Sequence, residues 1–267
     1  MLILVAIVTD SNEYNSLFVF IGYFYLTLFA IKIFKEKLSV ISIVVIVFGT
    51  MFLMQSYTIY LYSLGQISSA PIILIYCLGI ISAFFYAKFK QPINLLPFIL
   101  SGCFIVFMFF QGWSFWIHYR NFDTFTGKVS YNLPAKFEAF DKQRNLIANN
   151  NFQNKLVLLD FWYSGCGVCF EKFPQLQAVY EKYRNDSSVM IFAVNKPIEE
   201  DKPNQAFEMI REEGHSFPVV VTKDEDLAEK FGVKGYPTTF VINRNGQIVY
   251  KGDIEGAVKM VAELKEK

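Results

Sequence analysis

The stretch LVLLDFWYSGCGVCFEKFP, Leu156 to Pro174, sets a continuous apolar run directly before two cysteines spaced two residues apart. From Lys155 to Tyr163 the run has strand length and is apolar throughout, as a central strand covered on both faces should be. A helix then begins near Cys166 and runs on through PQLQAVYEKYRND, where Leu176, Val179 and Tyr183 recur at helical spacing. Cys166 and Cys169, at the start of that helix, can close a small disulfide ring. Cys166 sits where backbone N–H groups and the helix dipole stabilise a thiolate, which lowers its pKa and makes it the nucleophile. Cys169, one turn further in, is better shielded and is expected to attack the mixed disulfide and release the product.

Working outward, VMIFAVN reads as a second buried strand, QAFEMIREEG as a helix ending at Gly214, FPVVVTK as a third strand and DEDLAEKFGV as a short helix. TTFVINRNGQIVYKG reads as a hairpin turning at Asn245-Gly246, a pair favoured where both central residues need positive φ. GAVKMVAELKEK closes the chain as a helix. Strands alternating with helices, with an antiparallel hairpin at one edge, indicate an α/β sandwich over residues 134–267.

The other half of the chain is different in kind. The 267 residues are 53% hydrophobic and 18% aromatic, with a formal net charge of +1. That balance argues against a nucleic-acid binder, which is normally strongly basic, and an apolar content this high excludes disorder. Only eight of the 49 charged residues precede Tyr119. Residues 1–118 therefore read as an all-α, four-helix transmembrane domain, because a bilayer core demands about 20 consecutive apolar residues per span. The spans are expected at 17–34, 38–62, 70–89 and 93–117, followed by a polar tether over 119–133. The opening MLILVAIV is too short to span and lacks the basic lead of a signal peptide, and it reads as an interfacial stub.

Basic residues are retained on the cytoplasmic side. Lys32, Lys35 and Lys37 follow one span and Lys88 and Lys90 another, which places everything after His118 outside the cytoplasm, on the periplasmic side of a bacterial inner or plasma membrane. Tyr57, Tyr60 and Tyr62, with Trp113, Trp116 and Tyr119, would form an aromatic belt at the outer interface. Cys77 and Cys103 fall near mid-membrane. Each reads either as a small apolar residue at a helix interface or as half of a redox pair. Gln55 reads as an interhelical hydrogen-bonding group.

A lone CxxC is also half of a zinc site, which needs two further ligands. The only histidines are His118 and His215, so zinc is poorly supplied. A copper-delivery module using Cys166, Cys169 and His215 stands as the binding-protein alternative.

Together with VKGYPTTFVINRNGQIVYKG, the Leu156–Pro174 stretch resembles the thioredoxin superfamily, and more closely the TlpA/ResA type of membrane-anchored, extracytoplasmic thiol-disulfide oxidoreductase. Asp160 stands six residues before Cys166, where thioredoxins have a buried acid. Pro174 matches the helix-kinking proline, Tyr236-Pro237 the cis-proline loop, and Asn195 to about Val221 the insertion that plain thioredoxin lacks. The resemblance implies a thioredoxin-like fold, a central mixed sheet flanked by helices, with no cofactor beyond the redox-active Cys166–Cys169 disulfide and no metal. It implies that Asp160 takes the proton from Cys169, that Tyr236 and Pro237 shape the loop that docks a substrate peptide, and that Trp162 packs beside the site. Protein thiols and disulfides would be the substrates, with an upstream membrane electron donor and the lipid bilayer as further partners and no nucleic acid.

Three positions depart from the pattern. Gly165 replaces a tryptophan, Val168 a proline, and Lys172 the glutamate of ResA-like members, with Glu171 one residue earlier. Both Glu171 and Lys172 read as solvated helix surface. The expected function is extracytoplasmic disulfide reduction, with disulfide oxidation or isomerisation as the alternative within the same chemistry.

Overall fold

The computed structural model describes residues 12–63, 70–134, 136–223 and 226–266, and the MLILVAIV stub lies outside them. It divides into two compact units, Met1–Ile117 and His118–Lys267.

The first unit is helical: α1 (Asn12–Phe34), α2 (Val40–Met54), α3 (Ser56–Ser63), α4 (Ala70–Lys88) and α5 (Leu96–Phe107). A π-helical turn over Met108–Gly112 leads into α6 (Trp113–Phe122). Among the described residues, three stretches are long and apolar enough to cross a membrane: Ser16–Phe34, Pro71–Lys88 and Ile93–Phe122. The expected second span differs. It is interrupted at Gln55, which leaves helical geometry at φ −91°, ψ 2° between α2 and α3. The neighbouring Ser56 hydroxyl donates to the Leu53 carbonyl, a side-chain competitor for the helix ladder. Large apolar side chains such as Phe18, Leu26, Val45 and Leu53 face outward, as lipid-facing residues should. Trp113 departs from the expected aromatic belt: it is buried with Met51, Ile72 and Tyr76 in the core of this unit. Cys77 packs partly into that cluster while Cys103 is exposed, and both thiols are free.

The second unit is an eight-stranded mixed sheet with helices on its faces. Its elements are β1 (Lys128–Asn132), β2 (Glu138–Phe140), β3 (Leu146–Ala148), β4 (Leu156–Trp162), α7 (Gly167–Tyr183), β5 (Val189–Asn195), α8 (Gln205–Glu212), β6 (Val219–Thr222), α9 (Leu227–Lys230), β7 (Thr238–Ile242), β8 (Gln247–Gly252) and α10 (Ile254–Lys265). The strand order is β1-β8-β7-β4-β5-β6-β2-β3. β4, β5 and β6 run parallel, while on the other side of β4 the strand β7 pairs antiparallel with β4 and β8 antiparallel with β7.

β4 is buried along its whole length, so its side chains serve both faces alternately. Leu156, Leu158 and Trp162 join Phe173, Leu176 and Val179 of α7 and Ile254, Ala257 and Val261 of α10 in one cluster. Val157, Leu159 and Phe161 join Phe137, Phe152, Leu227, Phe231 and Phe240 in the other. Asp160 therefore falls in the row between Leu158 and Trp162, beneath α7.

The segment 119–133 is not a free tether. It finishes α6 and then forms β1, which pairs antiparallel with β8. Val129 and Tyr131 turn inward while Lys128, Ser130 and Asn132 stay exposed, the period-2 alternation of an edge strand on a half-covered face. The hairpin turn also differs from expectation. Gly246 alone has positive φ (78°), and the Asn243 side-chain oxygen accepts from the Asn245 and Gln247 amides, so Asn245 has no need of the left-handed region.

Candidate active site

Cys166 caps α7. Its backbone is outside helical geometry (φ −87°, ψ 86°), and its sulfur accepts from the Cys169 amide at 3.2 Å. The two cysteines form a disulfide with their Cα atoms 5.3 Å apart. Cys169 is fully buried and Cys166 is 5% exposed, so the first cysteine is the less enclosed of the two. Val168 is 54% exposed, and Gly165 and Gly167 are exposed beside it, leaving an open apolar rim around the ring. On reduction, the Cys169 N–H and the start of the helix are the groups that favour a thiolate at Cys166.

Asp160 is 2% exposed and accepts from the Thr239 hydroxyl at 2.7 Å. Burial pushes its pKa up to about 6; the Thr239 hydrogen bond opposes that shift and the negative charge of Glu255 adds to it. It is a carboxyl poised to gain or lose a proton near neutrality, beneath the helix that carries Cys169.

Tyr236-Pro237 is a cis peptide. Thr238 lies opposite Phe161 in the β7–β4 ladder, so Pro237 comes abreast of the end of β4, where the chain turns toward Cys166. Tyr236 packs against the cluster that contains both cysteines, its ring edge-on to Tyr163 at 5.1 Å. Trp162 is fully buried with Phe170 and Phe173 edge-on to it, which places it under the active-site helix as core. The structure thus brings Cys166, Cys169 and Tyr236 into one cluster, sets Trp162 and Asp160 beneath them, and sets Pro237 at their margin.

Two residues were not legible as site components. Thr239 holds Asp160, and Glu255, at the start of α10, acts on Asp160 electrostatically. Lys172, expected as solvated surface, instead pairs with Glu255 at 2.6 Å. Partial burial pushes the Glu255 pKa up, but hydrogen bonds, chiefly from Lys172, more than offset this and hold the carboxyl below its usual range. Nothing local in the sequence links positions 83 residues apart; only the Asp253 cap before α10, whose side chain accepts from the Gly256 amide, marks that helix start. Glu171 is exposed, as expected. His215 lies over Phe217 at 5.3 Å and edge-on to Phe173. Among the described residues, no three His, Cys, Asp or Glu side chains converge to hold a metal.

The Redoxin family model matches residues 128–265, beginning at β1 and covering the whole sheet. Thiol-disulfide oxidoreductase ResA of Halalkalibacterium halodurans is 32% identical over 132 residues, 49% of this chain and 73% of that protein. The ResA of Geobacillus thermodenitrificans is 33% identical over 132 residues, with the same shares. Among solved structures, that of a thiol:disulfide interchange protein from Bacteroides sp. matches at 21% identity with a TM-score of 0.46, over 53% of this chain and 93% of that one. The chain accordingly belongs to the Redoxin family, and its C-terminal half is a ResA-like domain of the thioredoxin superfamily.

Proposed function

We propose that this protein-disulfide oxidoreductase works outside the cytoplasm as a reductase of protein disulfides, anchored by the helices of its first unit. The observation that carries the proposal is the Cys166–Cys169 disulfide at the head of α7, with its outer sulfur at an open apolar rim beside the Tyr236-Pro237 loop. In the reduced enzyme, Cys166 attacks one sulfur of the substrate disulfide and the first substrate thiolate leaves. Cys169 then gives its proton to Asp160 and attacks Cys166, releasing the second substrate thiolate and closing the enzyme disulfide. Two electrons pass to the substrate, and a dithiol donor must return two to the enzyme.

The electrostatics support the reducing direction. A strongly oxidising pair needs a stabilised thiolate in its reduced form. Here Lys172, the cation one turn beyond Cys169, is neutralised by Glu255, and the titratable group beneath the pair is an acid. The placement outside the cytoplasm rests on the lysines that follow Ser16–Phe34 and Pro71–Lys88, which share one side of the membrane when the interrupted stretch of α2 and α3 crosses it as well. A membrane-impermeant maleimide applied to reduced, intact spheroplasts should label Cys166; labelling only after lysis would reverse the orientation. Insulin disulfides should be reduced by the full chain, and failure to do so while the site is reduced would count against the activity.

A further inference from the structure

The segment that follows the last apolar helix reaches the substrate-facing side of the fold through one carboxylate. Asp123, immediately after α6, has φ 61°, a conformation that short polar residues such as Asp adopt at low cost. Its Oδ1 pairs with Lys234 Nζ at 2.7 Å, and its Oδ2 lies 3.9 Å from Lys251 Nζ. Lys234 stands two residues before Tyr236. Lys251 is almost fully buried on β8 and donates to the Gly232 carbonyl at 2.7 Å, at the other end of the same loop. Gly232 and Val233 are in turn hydrogen-bonded to the end of α9, and the Thr238 hydroxyl donates to the Gly235 carbonyl. The loop from Gly232 to Pro237 is therefore fixed internally at both ends, and the two lysines that tie it to the rest of the unit, Lys234 and Lys251, converge on Asp123.

We propose that Asp123 is a positioning residue for substrate docking, holding the Gly232–Pro237 loop at the height at which an extended peptide meets Cys166. This rests on the docking role given above to Tyr236 and Pro237. The charge arrangement explains why a carboxylate is needed at that place. Two lysine ammonium groups converge there, one of them buried, and a buried cation is strongly disfavoured without a counter-charge. Burial pulls the Lys251 pKa down, and Asp123 opposes that shift. With asparagine at 123 the two cations repel each other, and the flexible partner, Lys234, carries the loop away from the site. Asparagine accepts the left-handed backbone as readily as aspartate, so Asp123→Asn removes the charge and leaves the turn.

The test is the single-turnover oxidation of the pre-reduced full chain by insulin, followed over a range of insulin concentrations. The rate at which dithiothreitol reduces the enzyme disulfide is measured alongside, because a small dithiol needs no docking loop. Asp123→Asn is expected to raise the half-saturating insulin concentration about three- to five-fold, the scale of a partly exposed ion pair, with the limiting rate and the dithiothreitol rate unchanged. Lys234→Gln, which loses the tie but leaves no repelling pair of cations, should raise it by a smaller factor, and Lys234→Arg, which keeps the charge, should leave it unchanged. An unchanged half-saturation in Asp123→Asn, when Pro237→Ala raises it, would overturn the positioning role and leave the docking loop standing. Equal losses toward insulin and dithiothreitol would show general damage instead and overturn it too. If Pro237→Ala itself leaves half-saturation unchanged, the docking role fails and the inference falls with it.

Discussion

Cys169→Ser is expected to stop turnover while leaving Cys166 able to attack, so that the enzyme accumulates as a mixed disulfide with its substrate. The geometry separates the two steps. Cys166 is the less buried cysteine of the pair, and its attack requires nothing from Cys169 except an amide that serine also supplies. Release requires a second sulfur within bonding reach of the first, which the native pair shows in its closed ring. Loss of a nucleophile that acts as a unit with its neighbours lowers turnover by on the order of 10³-fold or more. Cys166→Ser should be as inactive but should trap nothing. Non-reducing gels of the two variants after incubation with insulin decide the order of attack: adducts from Cys166→Ser and none from Cys169→Ser would reverse the roles.

The second large effect concerns Asp160, where catalysis and stability are expected to move in opposite directions. An asparagine at 160 still accepts from Thr239 but cannot take the Cys169 proton. Removing a general base of this kind slows the resolving step about 10²-fold or more. In the wild type that step should speed up as pH rises through about 6, the pH at which Asp160 releases its proton, and the variant should lose this inflection.

Stability follows the opposite sign. The native carboxyl holds its proton up to about pH 6, whereas an ordinary aspartate releases it at 3.8. The contribution of the protonated form is therefore complete below pH 3.8 and is lost as pH rises through about 6. By pH 8 the buried charge costs about 3 kcal/mol, and Asp160→Asn escapes it. Chemical denaturation should find the variant more stable than wild type at pH 8 and equal to it at pH 3.5. A gain of the same size at both pH values would show that the carboxyl is not held protonated by burial.

What the chain announces and what it conceals divide along a physical line. The central strands β4 and β5 are long and apolar, and β5 and β7 are rich in β-branched residues, so burial on both faces is written in their composition. The cysteine pair is legible because a helix start and a CxxC spacing are both local. The edge strands were not legible. β2 and β3 are three residues long, and the turn between them depends on the Asp141 side chain accepting from the Gln143 and Asn145 amides, with Arg144 at φ 65°. β1 hides in a polar segment because only Val129 and Tyr131 need to face inward.

The same limit applies at the site. Asp160 could be placed through the resemblance, which puts a buried acid six residues before Cys166. Its partner Thr239 and its electrostatic neighbour Glu255 come from β7 and α10, and only the folded sheet brings them near. In the apolar unit, hydropathy marked the long helices, but the departure from helical geometry at Gln55 is confined to one residue, and no sliding average of hydropathy registers that.

The most direct test of the reducing role is the reduction potential of the Cys166–Cys169 pair in the full chain, equilibrated with dithiothreitol redox buffers and read by thiol alkylation. With Lys172 neutralised by Glu255, and with the Cys169 N–H and the helix start favouring the thiolate, the expected value lies near the thioredoxin range, about −270 mV. A value near about −120 mV, that of a strong disulfide donor, would contradict it and make the protein an oxidase.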